Sequence, residues 1–126
     1  MIETEIYQVL TGSTEVTDLV GARIYHHHLP DNFDITSNGI VFIINKDESQ
    51  ATLDDKDALE QHTMDIIAVD GDTIEVEAII TVLETLLNGY SDNTLRDIES
   101  THIDPTQDAE KDRYIKRITF NIIYNN

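Results

Sequence analysis

The stretch Asp72–Gly89, DTIEVEAIITVLETLLNG, decides how the rest of the 126-residue chain is read. Asp72-Thr-Ile-Glu75 has the form of a capping box, in which Asp72 accepts from the third helical amide while Glu75 reaches back to the cap. Plotted at 100° per residue, Val76, Ile79, Ile80, Val82, Leu83, Leu86 and Leu87 fall within one broad arc, and Glu77, Thr81, Glu84 and Asn88 lie opposite. Gly89 then closes the helix in a left-handed conformation. A helix with so wide an apolar face must lay it on another layer, and the flanking segments say which kind.

Downstream, Leu95–Asp104 and Arg113–Tyr124 read as strands joined by the polar loop 105–112. The second alternates cleanly: Ile118, Phe120, Ile122 and Tyr124 share a face, with Arg117, Thr119 and Asn121 on the other. That apolar face is expected to meet the 73–88 helix. Upstream, His62–Val69 supplies a strand with Met64, Ile66 and Ala68 on one side and Asp65, Ile67 and Val69 on the other. Gly39–Ile44 is a continuous apolar, β-branched run of the sort covered on both faces, which places it centrally in a sheet. Ile24–Leu29 is a short strand ended by Pro30, and residues 30–34 turn. At the amino end, Ile2, Ile6, Val9 and Leu10 recur at helical spacing. Ser13 or Thr14 caps a further helical turn carrying Val16, Leu19 and Val20, closed by Gly21. The expected fold is α+β, a two-layer sandwich in which a mixed, mostly antiparallel sheet carries its helices on one face. Neither a repeat nor a linker divides the chain, so one domain over residues 1–126 is expected.

Charge narrows the function. Twenty-five acidic residues against eight basic ones give −17 at neutral pH, which repels nucleic-acid phosphates and anionic lipid heads. The absence of cysteine removes disulfides, thiolate nucleophiles and zinc-finger sites. The amino terminus has acids where a secretory signal has bases, and no apolar run approaches the ~20 residues that span a bilayer. The protein is therefore expected to stay where it is made.

No motif supplies a reaction centre. His26, His27 and His28 are adjacent, but successive strand residues point to opposite faces, so only His26 and His28 share a side. A metal site would need a further ligand such as His62 or His102 brought in by the fold. Asp54-Asp55, or Glu75 with Glu77, are carboxylate pairs expected by number in so acidic a chain, and the segment 47–57 lacks the glycine and phase of a calcium-binding loop. No serine stands in a nucleophile elbow and no glycine-rich loop cradles phosphate. Arg113, Lys116 and Arg117 begin the last strand, with Lys111 set between Glu110 and Asp112, a pattern of ion pairs more than of a phosphate site. The expectation is a protein without catalytic residues, metal or cofactor. The segment 46–60, rich in acids, reads as a solvated loop.

In order, these features resemble the tail-terminator, or tail-completion, proteins of long-tailed bacteriophages. The resemblance spans nearly the whole chain. It rests on the amino-terminal helix, on Val16-Thr-Asp-Leu-Val-Gly21 followed by Arg23-Ile-Tyr25 and Leu29-Pro30, and on the apolar strand 40–44. It continues through Met64-Asp-Ile-Ile-Ala68 with its long helix and the closing Arg113-Tyr-Ile-Lys-Arg-Ile-Thr-Phe120. The HHH insert and the very acidic 46–60 loop depart from the pattern.

The resemblance implies a minor tail protein that forms a ring, a hexamer, at the head-proximal end of the tail tube. There it stops tube polymerisation and offers the surface on which the head docks. Its implied partners are copies of itself, the tail-tube protein and a head-completion or connector protein. DNA passes through without specific binding, and the implied location is the virion tail, with the host cytoplasm during assembly. The subunit or tube contacts expected on this reading are His26, His27, His28, Asp54, Asp55, Asp108, Glu110 and Arg113. The loops 46–60 and 105–112 would project towards neighbours, and imidazoles at a subunit boundary would make assembly sensitive to pH. Other readings stay open: a head–tail connector or adaptor, an acidic toxin-immunity or DNA-mimic inhibitor, and a metal-dependent enzyme built around the histidines.

Overall fold

A computed structural model describes residues 1–29, 38–46, 59–109 and 113–125. Three helices and six strands follow one another: α1 (Ile2–Thr11), α2 (Thr14–Val20), β1 (Ile24–His26), β2 (Gly39–Lys46), β3 (Glu60–Asp70), α3 (Thr73–Leu87), β4 (Leu95–Ile103), β5 (Gln107–Ala109) and β6 (Arg113–Tyr124). The strands form one sheet in the order β1-β2-β3-β6-β4, with β5 paired to β6 ahead of β4. Only β1 runs parallel to its neighbour; the other pairings are antiparallel. This is the α+β sandwich the sequence predicts.

Register explains the core. Across the sheet Phe42 lies opposite Ile66, which lies opposite Ile118, and Ile44, Met64 and Phe120 form the next row. Period-2 alternation sends all six to one face, where they are buried. All three helices cover that face. From α1 come Ile2, Ile6 and Leu10, four residues apart; from α2 come Val16 and Val20; from α3 come Val76, Ile79, Ile80, Leu83 and Leu87. Val82 and Leu86, expected inside the arc of α3, are only half-buried at its margin.

Local chemistry sets the helix ends. The hydroxyl of Ser13 accepts from the Val16 amide at 3.3 Å and so opens α2. Asp72 opens α3, but its carboxylate accepts from Ile74 N at 2.8 Å, one residue earlier than the capping-box pattern, and Asp70 Oδ1 accepts from Asp72 N at 3.1 Å. Gly89 takes φ +85°, as its position predicts.

Three strand readings are corrected. The 24–29 segment is strand only to His26, because His27 adopts φ +76° and turns the chain out of the sheet; His26 and His28 therefore do not share a strand face. The 39–46 strand is interior, between β1 and β3, but second from an edge; the central strand is β3. The 105–112 connection is not wholly loop, because Gln107–Ala109 adds a short strand along Arg113–Ile115.

The β4 edge is covered. Beyond α3 the chain runs beside it: Gly89 N donates to Ile98 O at 2.7 Å, Asp92 N to Leu95 O at 2.8 Å, the Ser91 hydroxyl to Arg96 O at 2.8 Å, and Asn88 Oδ1 accepts from Ser100 N at 2.9 Å. Groups that would recruit another strand are already satisfied there.

Candidate interaction surfaces

Every described helix lies on one face; the strand side chains of the other face meet no helix among the described residues. Tyr25, Val41, Ile67 and Arg117 form one row across four strands, and Gly39, Val69, Ile115 and Gln107 the next. Val41 and Val69 are 6% and 7% exposed, while Ile43, Ile67 and Ile115 are half-buried. The result is an apolar patch on a face that no described helix covers. Where it meets the β4–β5 connection a cavity of about 150 Å³ opens, lined among others by Ile67, Ile115, Pro105 and Gln107.

Charge gathers at one rim of the patch. Arg117 places Nε at 2.7 Å and Nη2 at 2.6 Å from Asp104 Oδ2, while His102 Nε2 lies 2.6 Å from Asp104 Oδ1. Arg117, and after it His102, hold the Asp104 carboxyl below its ordinary range by favouring the anion. The Arg117 side chain is still 49% exposed and keeps donors for another partner. Arg113 is buried on the same face at the start of β6.

The outer side of the helical layer has the opposite character. Its helices carry no lysine or arginine, and Glu15, Asp18 and Glu75 are exposed, whereas Glu5 turns in to the Thr94 hydroxyl at 2.6 Å. Between α2 and α3 runs a groove of about 370 Å³ lined by Ser13, Glu15, Thr81, Val82, Thr85 and Leu86. It continues through Leu86 into a second hollow reaching Val9 and Tyr90. Its floor is apolar, its rim is mostly hydroxyl and amide groups, and Glu15 is the one carboxylate lining it among the described residues. Glu77 instead binds inward, to Lys116 Nζ at 2.9 Å and to the Thr106 hydroxyl; Thr106 first and Lys116 second hold its carboxyl below the usual value.

The three histidines lie at the β1 corner. His26 stacks on Phe42 with ring centroids 5.0 Å apart, His27 sits 4.2 Å from His26, and His28 Nδ1 contacts Leu29 O at 3.1 Å. Their rings are exposed, and His27 N donates to Phe42 O, so the turn is held by backbone. No group of three metal-ligating side chains occurs among the described residues. Asp108 is exposed on β5. Asp54, Asp55 and Glu110 lie outside the described residues, as does nearly all of the 46–60 loop.

The structure thus brings Arg113 and Arg117 onto one face but leaves the histidines at a separate corner. Sequence reasoning missed Ile67 and Ile115 as half-buried residues of the sheet face away from the helices. The signal was present, because these apolar positions alternate with core positions on strands whose second face meets no helix among the described residues.

No helix among the described residues is long and apolar enough to cross a membrane. No protein-family model matches the chain, and no curated protein matches it. Among solved structures, it superposes on a chain of the virion of a native gene transfer agent particle with a TM-score of 0.71. The alignment covers 96% of this chain and 92% of that one at 18% identity. A second solved structure aligns with a TM-score of 0.57 at 10% identity over 97% and 96% of the two chains. At these identities the likeness is one of fold.

Proposed function

We propose that this chain is a structural protein of a phage-like virion, a tail terminator that assembles into a ring at the head-proximal end of the tail tube. The observation that carries the reading is the end-to-end fold likeness to a chain of the gene transfer agent virion, at 0.71 with little left over on either side. The sequence resemblance to tail terminators points the same way. A two-layer unit with helices on one face leaves an apolar sheet face and a grooved helical face, and a protein whose work is contact uses such surfaces. The role requires no reaction centre, and we assign the chain no enzymatic activity.

The acidity has a mechanical sense on this reading. Carboxylates facing a channel do not hold phosphates, so a duplex moves past them without sticking. Stopping a tube requires only that one ring face match the last tube ring and the other fail to accept a further one. A head–tail connector would fit the same fold likeness, and position in the particle separates the two.

Negative-stain imaging of the purified protein, alone and mixed with tail tubes, tests the proposal. Rings that cap one end of each tube, with overlong tubes when the protein is withheld, are the expected result. A monomer that leaves tube length unchanged would refute it.

A further inference from the structure

A ring of this chain brings together copies that each carry −17, twenty-five acidic residues against eight basic ones. Where those basic residues stand decides whether one copy can answer the charge of the next. Lys46 lies 3.1 Å from Glu60, Lys116 2.9 Å from Glu77 and Arg117 2.6 Å from Asp104. Arg23 donates from Nε to Asn38 O at 2.6 Å and from Nη2 to Asn38 Oδ1 at 2.8 Å, and Arg113 is buried. Among the described lysines and arginines, Arg96 alone is exposed and in no ion pair. Lys56 and Lys111 each have an acid on both sides in the sequence.

The carboxylates are not matched in the same way. Glu15 and Asp18 on α2, Glu75 on α3 and Glu99 on β4 are exposed and belong to no ion pair among the described residues. They occupy both the helical layer and the β4 edge. Whichever faces two copies bring together, negative charge meets negative charge with almost no cation to offset it, and a large net charge of one sign keeps a protein monomeric.

Resting on the ring-forming reading above, we infer that ionic strength switches assembly: copies repel one another at low salt and associate as added ions shorten the reach of that repulsion. The screening length falls from roughly 30 Å at 0.01 M to about 8 Å at 0.15 M. Over the longer distance the whole charge of one copy acts on its neighbour; over the shorter one only the groups at the contact do. Burial of apolar surface, which simple screening leaves in place, then prevails. A contact held by ion pairs has the opposite sign, because salt weakens it. The direction of the salt effect therefore separates the two whatever faces are in contact.

Light scattering on the full chain, at one protein concentration, follows assembly over sodium chloride from about 0.01 M to about 0.5 M. The association constant is expected to rise by about tenfold or more. Asp18→Asn combined with Glu75→Gln and Glu99→Gln removes exposed, unpaired carboxylates and should lower the salt needed for half-assembly, whereas Arg96→Gln should raise it. Sodium sulfate strengthens apolar burial beyond its ionic strength, so screening predicts matching midpoints in the two salts at equal ionic strength. Thermal melting in the same buffers shows that each variant, and the wild type at low salt, is folded.

Rings that weaken with salt, or that are unchanged across the series, would overturn the switch and leave the ring itself standing. A sulfate midpoint far below the chloride one, or folded variants that move the midpoint in the wrong direction, would overturn it too. A wild type that stays monomeric at every ionic strength and on tail tubes would remove the ring reading and the switch with it.

Discussion

Leu83 and Ile74 lie on the same helix and are both aliphatic, yet truncation should cost much at the first and almost nothing at the second. Leu83 is fully buried in the core shared by the helices and the sheet, whereas Ile74, in the first turn of α3, is 74% exposed. Leu83→Ala removes the transfer free energy of its branched end and leaves a cavity that close-packed neighbours refill only in part, a loss of about 2–5 kcal/mol. Ile74→Ala removes atoms that water already reaches and is expected to stay within about 0.5 kcal/mol of wild type. Domains of this size have about 5–15 kcal/mol in total, so the first change takes a large share. At about 3–5 °C per kcal/mol it lowers the melting temperature by roughly 6–25 °C. Urea unfolding followed by far-ultraviolet circular dichroism measures both variants in the same buffer. Equal losses, or a loss under 1 kcal/mol at Leu83, would mean that α3 does not lie on the sheet as described.

Three further outcomes are expected. Tyr124, 5% exposed, is pushed up to about 12 by its hydrogen bond to Glu5, by burial, and by the charges of Glu60 and Glu3. Because its folded value is raised, its stabilisation is complete below 10 and falls as pH rises towards 12; Tyr124→Phe should flatten that alkaline limb of the melting curve. Glu60, held down by His62 and then Lys46, and Asp104, held down by Arg117, have folded values below their ordinary 4.5 and 3.8. Their stabilisation is therefore present above those values and lost as pH falls through the folded ones, and Glu60→Gln should make the acid limb shallower in a melting series. Gly89→Ala meets no atom within 4 Å, so its cost is the left-handed φ of +85° alone, about 1–2 kcal/mol by chemical denaturation. A loss near zero would show that the turn relaxes to negative φ.

Much of the fold was legible because its signals are local and periodic. The α3 arc, the β6 alternation and the glycine after Asn88 each follow from 3.6- or 2-residue spacing, which needs no knowledge of the rest of the chain. The misplacements have physical causes. Nothing in IYHHHLP marks His27 as a residue of positive φ; the backbone bond from its amide to Phe42 O, formed only when β1 lies beside β2, holds it there. Gln107–Ala109 is too short and polar to announce a strand, and it becomes one because β6 extends past the end of β4 and offers unpaired edge groups. The candidate surfaces were less legible than the fold, since an interface is built from residues distant in sequence.

The sequence by itself determined a chain with alternating strands, one long amphipathic helix, no cysteine, and an excess of carboxylates, because composition and periodicity are properties of the covalent chain. Only the tertiary structure decided the strand order β1-β2-β3-β6-β4 and which side chains line each face of that sheet. That choice turns Ile67 and Ile115 from ordinary strand residues into a patch beside Arg117, and Val82 and Leu86 from core residues into the floor of a groove. The reason is that strand pairing sets which residues become neighbours across the sheet, and no window of sequence contains that partner choice.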